Sequence, residues 1–128
     1  MNANEIMTRG IMTIKRDASV IEAMKQMVDR RVTSLIVEKE GEKGVYGIIT
    51  RKDIVNKVIA YGKDLETTKV SEIMSEPLMT ISPEMGIDTI ARLMAKTDIR
   101  RFPVMEGNKL VGMVSNSDIL KAIALEDL

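Results

Sequence analysis

The sequence contains no cysteine and no histidine, and each absence removes a body of chemistry. Without thiols there are no disulfides, no thiolate nucleophile and no sulfur-based metal site. Without imidazole the usual general base near neutral pH is gone, and most transition-metal sites lose a common ligand. Tryptophan is missing too, and Tyr46, Tyr61 and Phe102 are the only aromatic residues, so a bound heterocycle would lie between aliphatic side chains rather than in an aromatic stack. Neither sign of charge is in excess. The 19 basic and 19 acidic residues cancel, and no run of like charges could follow a nucleic-acid backbone or an anionic membrane. No apolar run reaches the length of a membrane span, and Met1-Asn-Ala-Asn-Glu lacks the basic and apolar regions of a signal peptide. These absences predict a soluble cytoplasmic protein with no catalytic residues, no metal, no nucleic-acid partner and no membrane association.

What is present is a duplication. Ile6-Met7 aligns with Ile73-Met74 at an offset of 67 residues, Met12-Thr13-Ile14 with Met79-Thr80-Ile81, Met27 with Met94 and Val37 with Val104. The offset falls to 65 after the turn Glu40-Gly41-Glu42-Lys43-Gly44, which is two residues longer than Gly107-Asn108-Lys109. A length change confined to a turn is what a repeated fold tolerates. Each half reads as strand, helix, strand, strand, helix. Met12 to Lys15 and Leu78 to Ser82 are the expected first strands. Ser19 and Glu22 have capping-box spacing before a helix whose Val20, Met24, Met27 and Val28 share a face, matched by Ile87, Ile90, Ala91 and Met94. Ser34-Leu-Ile-Val-Glu and Val45-Tyr-Gly-Ile-Ile form one expected hairpin, and Phe102-Pro-Val-Met-Glu and Leu110-Val-Gly-Met-Val the other. Pro103 predicts a strand end or edge there. Closing helices carry Ile54, Val55, Val58 and Ile59, and Ile119, Leu120, Ile123 and Ala124. The 11 methionines fall largely at core-like positions such as Met24, Met27, Met94 and Met113, which reads as flexible core filling.

The expected class is therefore mixed α/β (α+β), with two pseudosymmetric repeats over 1–62 and 63–128, the second including the polar linker, packed sheet to sheet because each alone is marginally small.

The most informative stretch occurs in both halves, as Gly47-Ile-Ile-Thr50-Arg-Lys-Asp53 and Gly112-Met-Val-Ser115-Asn-Ser-Asp118. A strand leaves a glycine, ends in a hydroxyl residue and feeds a helix, with an Asp three positions on. Such a junction offers unpaired backbone N–H groups, a hydroxyl that donates or accepts, and a carboxylate that only accepts, as two vicinal ribose hydroxyls require. The same spacing is also a capping box, and both readings stand on these residues alone.

With these motifs, together with Val70-Ser-Glu-Ile-Met74, Met79-Thr-Ile-Ser-Pro83 and Arg100-Arg-Phe-Pro-Val104, the chain resembles a tandem pair of CBS domains, the cystathionine-β-synthase type regulatory repeats, over nearly its whole length. The resemblance implies a Bateman module: no catalysis, two clefts between the repeats, and AMP, ADP, ATP or S-adenosylmethionine as regulatory ligand, with no cofactor required. It implies that Thr50, Asp53, Ser115 and Asp118 hold ribose, that Ile48, Lys52, Met113 and Ser117 line the clefts, and that Arg100 and Arg101 reach phosphates of the ligand held by Thr50 and Asp53. Their first-half counterparts, Thr33 and Ser34, are uncharged, so the two clefts should differ in their preference for phosphorylated ligands. Lys15, Arg16 and Arg51 are further candidates to lie near a phosphate. The resemblance also implies a homodimer and a regulated protein partner that the sequence does not name. Competing readings are a ligand-free dimerising scaffold, in which the junctions are only caps, and an enzyme, which the separation of Asp53 and Asp118 into different clefts argues against.

Overall fold

The computed structural model describes residues 1–76 and 78–127. The chain forms two units that each hold one hydrophobic core: one comprises residues 12–78, the other residues 1–11 and 79–128. The first eleven residues thus fold with the second half of the chain.

In the unit of residues 12–78, β1 (Thr13–Ile14) runs parallel to β2 (Ser34–Val37), which pairs antiparallel with β3 (Gly47–Thr50). Helix α2 (Val20–Arg30) starts at Ser19, whose hydroxyl accepts the Glu22 N–H at 3.3 Å, and ends where Arg31 takes a left-handed conformation at φ 56°. Val20, Ala23 and Met27 are its buried face. Met24 packs at the margin of the core, whereas Val28, expected on that face, is 75% exposed. Helix α3 (Arg51–Lys57) buries Ile54, and Val58 just beyond its end is also buried; Val55 and Ile59 turn outward. The core joins these residues to Ile14, Leu35, Val37 and Ile49.

The other unit repeats the plan with α5 (Ile87–Thr97), β4 (Arg101–Glu106), β5 (Lys109–Ser115) and α6 (Asn116–Asp127). Its core is Ile81, Ile90, Phe102, Val104, Val114 and Ile119. Asp98 ends α5 in a left-handed conformation, as Arg31 ends α2. Leu120, Ile123 and Ala124 are exposed, so the apolar stripe expected on α6 is buried only at Ile119.

The expected strand at Leu78 to Ser82 is reduced to a single parallel bridge between Ile81 and Val104. The reason lies in one backbone group. In the first half Ile36 N–H donates to the Met12 carbonyl at 3.2 Å and Glu38 N–H to Ile14 at 2.9 Å. In the second half Met105 N–H reaches Ile81 at 2.9 Å, but the residue matching Ile36 is Pro103, which has no N–H to give. Pro103 is not at a strand end. It sits within β4 opposite Met113, with its nitrogen on the side where the ladder stops.

A one-turn helix completes each unit, in one of them from the far end of the sequence. Helix α1 (Ala3–Ile6) is closed by an Asn2–Glu5 capping box, and Ala3 is fully buried in the core with Phe102. Helix α4 (Val70–Ile73) likewise places Val70 and Ile73 in the core with Leu35. Their hydrogen bonds match position for position. Thr8 and Met113 exchange two backbone bonds of 2.8 and 3.0 Å, as Ser75 and Ile48 exchange two of 2.9 Å.

Candidate functional site

Each junction stands at the end of the second strand of a hairpin, where the chain turns into a helix. Gly47 opens β3 with no room for a side chain: a Cβ there would lie 2.9 Å from the Ser75 carbonyl oxygen and 3.1 Å from Met74 Sδ. Gly112 is covered by the Met7 side chain rather than by backbone. The segment after each one-turn helix thus packs on a glycine, most tightly at Gly47.

At the first junction the Asp53 N–H donates to Thr50 Oγ1 at 3.1 Å, and the Thr50 N–H and hydroxyl both donate to Asp53 Oδ2, at 2.9 and 3.0 Å. The second junction is built alike, with Ser115 N–H and hydroxyl to Asp118 Oδ2 at 2.8 and 3.0 Å and Asp118 N–H to Ser115 Oγ at 3.2 Å. In both, Oδ2 is committed to the cap, which leaves Oδ1 as the acceptor turned to other partners. A carboxylate oxygen accepts more than one hydrogen bond, so a cap of this kind can still take a diol.

The surroundings of Oδ1 differ. Asp53 Oδ1 lies 3.2 Å from Lys57 Nζ, whose ammonium also donates to the Ile73 carbonyl at 2.9 Å. Asp118 Oδ1 accepts a long 3.5 Å bond from the Thr8 hydroxyl, and the position matching Lys57 is Ala122. Sequence reasoning passed over both partners. Lys57 and Thr8 carry no signal until the fold brings them to Asp53 and Asp118.

Of the other predicted residues, Ile48 and Met113 are half-buried, with backbones paired to Ser75 and Thr8. Lys52 and Ser117 are exposed in the first turn of their helices. Arg100 is exposed, and its carbonyl accepts the Asn116 N–H at 2.9 Å, just as the Thr33 carbonyl accepts Arg51 N–H at 3.0 Å. Arg101 is half-buried and pairs in register with Ser115, where the first half has Ser34 opposite Thr50. Arg16 is occupied elsewhere. It bonds the Glu38 carbonyl at 3.0 Å and the Val45 carbonyl, and pairs with Glu76 at 2.8 Å. Among the described residues there is no cluster of acidic side chains fit to hold a metal ion, and no helix long and apolar enough to cross a membrane.

Comparison with known proteins gives this arrangement a context. The CBS domain matches residues 3–60 and again residues 70–125. The chain is 37% identical over 113 residues to the mitochondrial CBS domain-containing protein CBSX3 of Arabidopsis thaliana, covering 86% of this chain and 55% of that protein. It spans 62% of an uncharacterised relative, MK0525, from Methanopyrus kandleri. Among solved structures, a hexameric CBS-CP12 protein from bloom-forming cyanobacteria superposes with a TM-score of 0.88 at 46% identity, over 98% of this chain and 73% of that one. The CBS domain pair of protein MJ0100, in complex with 5′-methylthioadenosine and S-adenosyl-L-methionine, superposes with a TM-score of 0.82 at 27% identity, over 98% of each chain. Two matched repeats, two like-built units and two equivalent strand-to-helix junctions together place the chain in the CBS domain family, as a tandem CBS pair.

Proposed function

We propose that the protein is a non-catalytic regulatory module that binds an adenosine-containing ligand, AMP, ADP, ATP or S-adenosylmethionine, at the Thr50–Asp53 and Ser115–Asp118 junctions. The observation that carries this reading is the repeated junction itself: in each copy a half-buried carboxylate holds Oδ2 on the cap and keeps Oδ1 off it, beside a helix N-terminus. Two further facts support it. Tandem CBS pairs are regulatory modules, and the structurally similar MJ0100 pair holds two adenosyl compounds. Arg100 and Arg101 supply the cations for a phosphate. Regulation requires the ligand to favour one of two packings, so a partner protein reads the packing rather than the ligand. The exposed Val55 and Ile59, and Leu120 and Ile123, are apolar surfaces consistent with pairing of two copies, which sedimentation would detect as a dimer.

Isothermal titration of nucleotide-free protein with AMP, ATP and S-adenosylmethionine tests this function. Saturable micromolar binding that falls at least tenfold in Asp53→Asn or Asp118→Asn supports it. Replacing Arg100 and Arg101 by Ala should weaken AMP and ATP binding more than binding of S-adenosylmethionine. No heat with any of the three, from folded protein, favours the scaffold, for which the complete capping boxes already suffice.

A further inference from the structure

The two junctions are equal in their caps and unequal in what holds the outward oxygen. Lys57 stands between two groups, Asp53 Oδ1 at 3.2 Å and the Ile73 carbonyl at 2.9 Å. Ile73 is the last residue of α4, so the lysine also caps the negative end of that helix. A four-residue helix does not support itself. α4 persists through bonds to its surroundings: Val70 N–H to Ala18 and Ser71 N–H to Arg16 at its start, Lys57 at its end, and the Ser75–Ile48 pair beyond. Directly after that pair the chain leaves one unit and enters the other, between Leu78 and Met79.

We propose that Lys57 makes the Thr50–Asp53 junction the reporting site of the pair, by tying Asp53 Oδ1 to the end of α4, shortly before the chain passes from one unit to the other. The inference rests on the adenosyl-ligand reading above. Thr50 fills both acceptor sites of Oδ2, so the two hydroxyls of a diol need both sites of Oδ1 and compete there with the ammonium. Release of Lys57 leaves the Ile73 carbonyl without its charged partner and loosens α4. The side chain of Lys57 is 47% exposed, which keeps the ion pair weak enough for a ligand to break. The second junction has Ala122 in that place, so its occupancy releases no lysine from the end of α1.

The test is a ligand-free cycle followed by a titration. Amide exchange of Met74 and Ser75, whose N–H groups bond Val70 and Ile48, is measured in the wild type, Lys57→Met, Asp53→Asn and the double variant. Both single variants should speed exchange about two- to fivefold, the double variant no further than Lys57→Met alone, and Lys57→Arg should restore the wild-type rate. AMP should then speed the same amides in the wild type but not in Lys57→Met, and should bind Lys57→Met about two- to fivefold more tightly. Independent, additive effects in the cycle, with ligand heat retained, overturn the link alone. Absence of heat with AMP, ATP and S-adenosylmethionine overturns the functional reading and the reporting role with it.

Discussion

Thr50 and Ser115 cap their helices, and the proposed function gives the same oxygen a second task at the ribose, so substitutions can separate the two. Removing the hydroxyl in Thr50→Ala or Ser115→Ala leaves the Asp53 or Asp118 N–H without its acceptor, and should cost about 1 kcal/mol in urea unfolding, the usual value of a lost N-cap. Asp53→Asn is the complementary change. Its amide oxygen can still accept the Thr50 N–H, so stability should hold within about 0.5 kcal/mol, while the acceptor pair for a diol is lost. Ligand binding that survives both Asp53→Asn and Asp118→Asn would refute the ribose role. At this scale the candidate site was legible because the chain carries it twice: a spacing that is ambiguous once gains weight when Thr50–Asp53 recurs as Ser115–Asp118. Lys57 was not legible for the converse reason. A lysine opposite an alanine in the other copy is ordinary surface variation until distances place its ammonium on Asp53.

The elements that sequence reasoning recovered are those whose side chains impose a period. Helices α2 and α5 follow from apolar residues at helical spacing, and the two hairpins from alternating runs around glycine turns. Helices α1 and α4 escaped because one turn is too short to show a period; hydrogen bonds to distant residues hold them in place. The strand expected at Leu78 to Ser82 failed on a backbone donor, since Pro103 cannot repeat the bond that Ile36 makes to Met12. A difference of the same kind separates the two junction glycines. In Gly47→Ala the new methyl meets a backbone oxygen, that of Ser75, which cannot move without breaking the Ser75–Ile48 pair. In Gly112→Ala it meets only side-chain atoms of Met7. Both should destabilise by about 1–3 kcal/mol as overpacked sites do. Trimming Met7 to Ala should recover most of the loss in Gly112→Ala, whereas Met74→Ala should recover little in Gly47→Ala. Equal rescue in the two double-mutant cycles would show that the Ser75 carbonyl is not the obstacle.

At the scale of the whole molecule, the sequence repeats and the folded units divide the chain differently. The CBS match begins at residue 3 in one copy and residue 70 in the other, yet residues 1–11 complete the unit of residues 79–128, and residues 70–78 complete the unit that begins at Met12. Each repeat therefore lends its opening turn to the other, and damage to that turn should be felt away from its own repeat. Ala3→Leu overfills a fully buried site beside Phe102 and Ile90, and Val70→Ala empties one beside Leu35 and Ile49; each should cost about 1–3 kcal/mol. Native-state amide exchange locates the cost, because it reads local opening below the global transition. Ala3→Leu should lower protection at Val104 and Val114 and spare Leu35 and Ile49, and Val70→Ala should do the reverse. If each opening turn instead belonged to its own repeat, Ala3→Leu would weaken Leu35 and Ile49 and spare Val104 and Val114. The exchange also bears on signalling, since a change in α4 acts on a core that includes Leu35 and lies in the last stretch of chain before the second unit begins.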